Sequence, residues 1–151
     1  MFDEKAKELG IEIPEAPKPL ASYVPALKVE KLIFTAGQLP LQNGNLFAEG
    51  KVGDSVSEEE AIKAAEICAI NCLSAVKSVT GSLDEIEKIV KVTVFVNSAS
   101  GFTSQPKVAN GASDLLIKIF GDAGKHVRSA VGVSELPMNA PVEIEMITKL
   151  L

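Results

Sequence analysis

The 151-residue sequence has no Trp, one Tyr, one His and two Cys. With so few aromatic residues, the chain offers no obvious platform on which nucleotide bases could stack. A structural zinc site needs four ligands such as Cys and His, and Cys68 and Cys72 have only His126 to join them. The two cysteines lie four residues apart in a predicted helix, which a disulfide between them would distort. We therefore interpret them as small buried hydrophobic residues and expect no metal site.

Positive charge is also scarce. The chain has 15 Lys and Arg against 20 Asp and Glu, a net charge of −5, and no cluster of basic residues, which argues against a nucleic-acid partner. No apolar run approaches the ~20 residues of a membrane span, and the charged N-terminus MFDEKAKELG does not resemble a secretory signal. We expect a cytoplasmic protein. Phosphate-binding glycine loops and a G-x-S-x-G serine motif are both missing from the sequence.

Hydrophobic residues make up 46% and charged residues 23% of the chain, as in an ordinary globular domain. Residues 1–22 are interpreted as an N-terminal helix and a proline-rich arm, and residues 23–151 as the main domain. The elements predicted in order are a helix at Phe2–Leu9, strands at Leu27–Val29, Leu32–Gln38 and Asn45–Phe47, a helix from Ser57 to about Thr80, a strand at Ile89–Val96, a helix from about Ser104 to Phe120, and strands at Val127–Val133 and Val142–Ile147.

This order predicts an α+β fold in which all strands join one mixed sheet and both long helices pack on one face. The opposite sheet face would then be uncovered while carrying Val and Ile, so we expect another subunit to cover it. How the last two strands pair is left open, because the link between them suits either a hairpin or a crossing over another strand.

The stretch RSAVGVSELPMNAPVEIEM, from Arg128 to Met146, contains the candidate chemistry. Alternation along its first strand places Arg128 on one face with Ala130 and Gly132 as small neighbours. A guanidinium with open space beside it predicts a pocket floor that could hold a carboxylate through two parallel charge-assisted bonds. The alternative is a solvated arginine on an outer face, or a surface ion pair with Glu143.

The pattern R-S-A-V-G-V-x-x-L-P-x-x-A-x-V-E-I-E, with F-T-A-G-Q-L-P at Phe34–Pro40, resembles the reactive-intermediate deaminase family, RidA or YjgF. The similarity runs from Tyr23 to Ile147. It implies a chorismate-mutase-like fold and a homotrimer with ligand clefts between subunits. It also implies hydrolysis of reactive 2-imino or enamino acids to 2-keto acids and ammonia, as by a 2-iminobutanoate/2-iminopropanoate deaminase, with no metal or cofactor.

Two catalytic residues follow from this resemblance. Arg128 matches the arginine that binds the substrate carboxylate, and Glu143 matches the glutamate that positions the attacking water. Glu145, on the same strand face, is a less favoured substitute for Glu143.

Four more residues match positions that bind substrate. Three of them also have a structural alternative, which for Tyr23 and Asn110 carries equal weight. Tyr23 would lie at the pocket rim or serve as a packing anchor. Gly37 would offer a backbone donor or simply form a bend. Asn110 would line the cleft or be an ordinary polar helix residue. Ala130 would offer its backbone N–H to the anion.

The chain departs from the family at two positions, with Ala36 and Ala130 where Ser and Cys are common. An alternative function is therefore a non-catalytic module that binds small carboxylates such as 2-keto acids, with a metabolic regulatory role. An endoribonuclease or translation-inhibitor role is disfavoured by the negative charge. A Ser/His hydrolase would require His126, which we interpret as a surface residue where a strand begins. The substrate side chain cannot be predicted.

Overall fold

The computed structural model describes residues 1–18 and 22–151. Its elements are α1 (Phe2–Glu8), β1 (Ala26–Val29), β2 (Leu32–Thr35), β3 (Leu41–Gln42), β4 (Asn45–Leu46), α2 (Glu58–Thr80), β5 (Ile86–Asn97), α3 (Gln105–Phe120), β6 (Val127–Val133) and β7 (Val142–Leu150). The predicted elements are present with bounds shifted by three residues or fewer. The capping box at Ser57 is formed, with Ser57 Oγ accepting from Glu60 N–H and Glu60 accepting from Ser57 N–H.

Five strands form the main sheet in the order β1-β2-β7-β5-β6. Only the β5–β6 pair is parallel. The last two strands therefore do not form a hairpin, because β5 lies between them and the link 134–141 crosses its end. β6 is an edge strand, whereas β7 has a neighbour on each side.

The prediction that all strands join one sheet is wrong for β3 and β4, which form a separate hairpin. Asn43 and Gly44 both have positive φ at its turn, as a type I′ turn requires. The hairpin is held against α2, because Asn71 Nδ2 donates to the carbonyls of Leu39 and Leu41 at 2.9 Å each. These bonds tie the chain to the helix layer instead of the sheet.

Both long helices pack on one face of the sheet, as predicted. Small residues let α2 lie close to β7, and the buried thiols of Cys68 and Cys72 reach the carbonyls of Val142 and Ile144 at 3.6 and 3.3 Å. Both cysteines are free. The helices lie in close contact at Gly111, where an added Cβ would lie 2.1 Å from the carbonyl oxygen of Ile62. That contact fixes α3 beside the sheet edge.

The other face of the sheet is uncovered within one protomer and carries exposed apolar side chains among charged ones such as Lys91 and Glu145. Leu27, Val29, Phe34 and Val131 occupy it and remain 39–57% exposed. Cross-strand pairing continues this face through Phe95 on β5 and Ile147 on β7. A patch of this kind is typical of a surface that binds another protein chain.

The N-terminal segment packs on the helix layer. Phe2 contacts Phe120 with ring centroids 4.7 Å apart, and Ala6 is buried. Burial of the Asp3 carboxylate opposes ionisation, but bonds from Ser82 and Lys77 outweigh it and lower the pKa of Asp3. The described part of the arm, 11–18, runs along α2, and residues 19–21 of the predicted arm lie outside the described residues. In the described ranges no helix is both long and apolar enough to cross a membrane.

Candidate active site

Arg128 lies on the helix-covered side of β6, not on the outer face. Its backbone pairs with Val92, which is fully buried beneath the helices. Arg128 Nη1 donates to Asn110 Oδ1 at 2.8 Å and to Ser113 Oγ at 3.1 Å, and Nη2 donates to the Pro106 carbonyl at 3.3 Å. Because β6 is the edge strand, the guanidinium reaches past the sheet to the first half of α3.

All three acceptors of Arg128 are neutral, so the positive charge is not paired with a carboxylate among the described residues. A guanidinium has five N–H groups. Three are used here, and the Nε–H and one Nη2–H have no acceptor in residues 1–18 and 22–151. A planar group with donors to spare is suited to binding a carboxylate. Within one protomer, Arg128 does not form the alternative ion pair with Glu143.

An open cleft of about 220 Å³ lies beside Arg128, lined also by Ser113, Ile117, Lys125 and His126. Lys125 forms an ion pair with Asp122 at 2.8 Å, which raises the pKa of Lys125 through the hydrogen bond and the opposite charge. The cleft wall is therefore positive at Arg128 and close to neutral at Lys125.

The small residues beyond Arg128 do not form the open floor that the sequence predicts. A Cβ at Gly132 would lie 2.9 Å from Gln105 Nε2 and 3.0 Å from Ser98 Oγ, so these side chains occupy the space above it. Ala130 packs partly buried against the hydrophobic core. The open space is at the start of β6, towards the turn before it, and not along Ala130 and Gly132.

Ser113 and His126 join this site, and sequence reasoning missed both as partners of Arg128. His126 Nε2 lies 2.9 Å from Ser113 Oγ, and its Nδ1 lies 2.7 Å from the carbonyl oxygen of Gly124. One signal could have found Ser113, because it is three residues after Asn110 and so shares its helix face. His126 gives no such local signal, since its partner is thirteen residues away.

Glu143 and Gly37 form a second group on the uncovered sheet face. The Glu143 carboxylate lies against Gly37, where an added Cβ would be 2.9 Å from Glu143 Oε1. Glycine leaves room for this close approach, which a Cβ would prevent unless the Glu143 side chain moved. Burial of the carboxyl, and then the negative charge of Glu145, raise the pKa of Glu143. A raised pKa makes the ionised carboxylate a better proton acceptor than an ordinary exposed one.

The structure does not bring the two groups together within one protomer. Glu143 pairs with Phe95 on β5. Because the adjacent Val94 and Val96 are buried under the helices, Phe95 and Glu143 point to the uncovered face. Arg128 pairs with Val92 on the helix side. The catalytic pair expected from the sequence is therefore separated by the sheet.

The other predicted residues divide between these groups. Asn110 contacts Arg128 directly. Tyr23 is 58% exposed and precedes Pro25, whose carbonyl accepts from Ala36 N–H next to Gly37. Tyr23 is thus two residues before the Pro25 contact with the second group, and lies at the opposite sheet edge from Arg128.

Comparison with known proteins agrees with this architecture. A family model described as "YjgF/chorismate mutase-like, putative endoribonuclease" matches residues 4–150. The protein TCP17 of Trypanosoma cruzi is 39% identical over 145 residues, covering 95% of this chain and 91% of that protein. The chain belongs to the RidA/YjgF family.

Two further RidA/YjgF relatives bear on fold and activity. The crystal structure of Atu1372 from Agrobacterium tumefaciens has a TM-score of 0.92 and 40% identity, covering 99% of this chain and 92% of that one. A Dermatophagoides farinae protein named 2-iminobutanoate/2-iminopropanoate deaminase is 29% identical over 138 residues, covering 91% of this chain and 92% of that protein. The chain thus has a chorismate-mutase-like α+β fold with a mostly antiparallel sheet.

Proposed function

We propose that this protein hydrolyses reactive 2-imino or enamino acids to 2-keto acids and ammonia, in the cytoplasm and without a metal or cofactor. The observation that carries the proposal is the state of Arg128. Its charge has no carboxylate partner among the described residues, two of its N–H groups are free there, and an open cleft lies beside it. The name of the mite relative supports the same reaction.

The reaction needs only a residue that binds the substrate carboxylate and one acid–base group. Arg128 binds the substrate carboxylate, and water attacks the carbon of the C=N bond to give a tetrahedral adduct. Glu143 accepts a proton from the attacking water and returns it to nitrogen, which gives the C(OH)(NH2) adduct. Glu143 then transfers the hydroxyl proton to nitrogen in the same way, so that the C=O group forms as the C–N bond breaks and NH3 leaves. One positioned acid–base group contributes roughly 10²–10⁴-fold, which suits an imine that already hydrolyses in water.

The same proposal includes a homotrimer in which each site is shared between two copies. The separation of Arg128 and Glu143 by the sheet supports sharing, because neither residue can reach the other around its own protomer. The exposed apolar face around Phe34 and Val131 lies on the side of Glu143, where a second copy could cover it. Arg128 of that copy would then meet Glu143 and Gly37 at the seam.

A second candidate is a non-catalytic module for small carboxylates such as 2-keto acids. It is favoured by Ala130, whose methyl group packs against the core and supplies no thiol at the position where Cys is common in the family. Ala36 likewise has no side-chain donor beside Gly37. In this case Arg128 would bind ligand and Glu143 would take no part in chemistry.

The deciding experiment couples the protein to a threonine dehydratase or an amino-acid oxidase and follows keto-acid release. Faster release than in buffer, lost in Arg128→Ala, is expected. Calorimetry with 2-oxobutanoate separates the candidates, since binding without any acceleration would identify the carboxylate module. Neither binding nor turnover by the wild-type protein would reject both.

A further inference from the structure

A chain of hydrogen bonds leads from Arg128 into the protein and ends on the backbone. Arg128 Nη1 lies 3.1 Å from Ser113 Oγ, Ser113 Oγ lies 2.9 Å from His126 Nε2, and His126 Nδ1 lies 2.7 Å from the Gly124 carbonyl oxygen. Ser113 is only 8% exposed. Its hydroxyl therefore depends on these partners, because solvent water has little access to it.

The chemistry of the last acceptor fixes the direction of the whole chain. A carbonyl oxygen can only accept, so Nδ1 of His126 must carry the proton. In the neutral imidazole, Nε2 is then an acceptor and takes the hydrogen bond from the Ser113 hydroxyl. The lone pairs of Ser113 Oγ remain for Arg128. Each group donates to the next, an arrangement in which hydrogen bonds strengthen one another.

The far end of the chain is held in place by backbone packing. A Cβ at Gly124 would lie 2.4 Å from the carbonyl oxygen of Leu116, so this turn rests directly against α3. Gly124 is thereby held against α3 by packing, and Ser113 is itself a residue of α3. His126 therefore bridges the Ser113 hydroxyl and the Gly124 carbonyl, whose separation is set by the packing of this turn against α3.

Asn110 cannot provide the same control of Arg128. Its amide oxygen accepts from Nη1 and the Pro106 carbonyl accepts from Nη2, but both residues are exposed, so water competes for these two bonds. The Ser113 hydroxyl adds a buried acceptor that is protected from this competition. The Nε–H and the remaining Nη2–H then keep a constant direction.

We infer that Ser113 and His126 are positioning residues that hold the Arg128 guanidinium with its free N–H groups presented to the substrate carboxylate. The effect of this positioning on catalysis rests on the proposed function, whereas the ordering of Arg128 by Ser113 and His126 is independent of that function. Both residues also line the cleft beside Arg128, but the role inferred for them is exerted through Arg128.

The test compares Ser113→Ala and His126→Phe with wild type, using ¹⁵N NMR of the arginine guanidinium groups without substrate. In wild type the Arg128 Nη1 and Nη2 signals should be separate, because rotation is restricted. They should merge in both variants and be restored in Ser113→Thr, which keeps the hydroxyl. Ser104→Ala is the matched control, because Ser104 precedes the same helix and its side chain makes no capping bond.

The second measurement is steady-state kinetics with the imine released by threonine dehydratase. KM should rise roughly 3–10-fold in Ser113→Ala and His126→Phe, as for one lost hydrogen bond, with kcat nearly unchanged. Unchanged Arg128 signals, or merged signals with an unchanged KM, would overturn the inference. An inactive wild-type protein would instead overturn the proposed function, and the NMR comparison would still show whether Ser113 and His126 order Arg128.

Discussion

The Arg128 group and the Glu143 group differ in how far one protomer completes them. The Arg128 group is assembled by α3 and the turn before β6, and its supporting hydrogen bonds are all present. The Glu143 carboxylate lies against Gly37 on the uncovered sheet face and accepts no hydrogen bond from the described residues. One protomer therefore orders Arg128 by itself, whereas the surroundings of Glu143 are left open to solvent.

Replacement of Glu143, in the less complete group, should change activity the most. Glu143→Gln keeps the shape of the side chain but removes the proton acceptor, so kcat should fall roughly 10²–10⁴-fold with little change in KM. The keto-acid assay measures both constants. A variant with normal kcat would show that Glu143 takes no part in the chemistry.

Glu143→Gln should also raise the thermal stability of the protein, although it lowers kcat. Because burial raises the pKa of Glu143 in the folded protein, the stability gained by protonating it is lost as pH rises through that pKa. Above it, the neutral Gln variant should unfold at a higher temperature than wild type. Thermal melts at two pH values on either side of the transition check this, and a lower melting temperature would contradict it.

Arg128→Lys should have the next largest effect and should act on binding. Lysine keeps the charge but cannot donate to Asn110, Ser113 and a carboxylate with one planar group. We expect KM to rise roughly 10–100-fold, as for the loss of hydrogen bonds to a charged partner. Calorimetry with 2-oxobutanoate should show the same factor in Kd. Unchanged affinity would mean that Arg128 is not the carboxylate site.

The smallest effect is expected from Glu145→Gln. Its negative charge contributes, after burial, to the raised pKa of Glu143. Removing it should lower the pKa of Glu143, so that the acid limb of the kcat/KM profile moves to lower pH. An unmoved limb would indicate that another group titrates in that range.

The sequence predicted local structure well and long-range arrangement less well. Alternation gave the bounds of β6 as Val127–Val133 and correctly placed Ile144 and Met146 in the core. It could not show that β5 separates β6 from β7, because the link 134–141 has no pattern that selects a pairing. Nor could it show which face of β6 is covered, since an edge strand has partly exposed residues on both faces.

The sequence named candidate site residues but not how the fold groups them. Arg128 and Asn110 contact each other, whereas Arg128 and Glu143 lie on opposite faces of the sheet within one protomer. Ser113 and His126 were missed because their link to Arg128 depends on how a helix, a turn and a strand pack together. No periodicity in the chain encodes a contact of that kind.

In the proposed homotrimer, Arg128 of one copy and Glu143 of another form each working site. Co-expression of Arg128→Ala and Glu143→Gln chains in equal amounts, each inactive by itself, tests this sharing. Random assembly should place an intact Arg128 beside an intact Glu143 in about one interface in four, and so restore about a quarter of wild-type activity. Mixed oligomers with no more activity than the separate variants would contradict the claim.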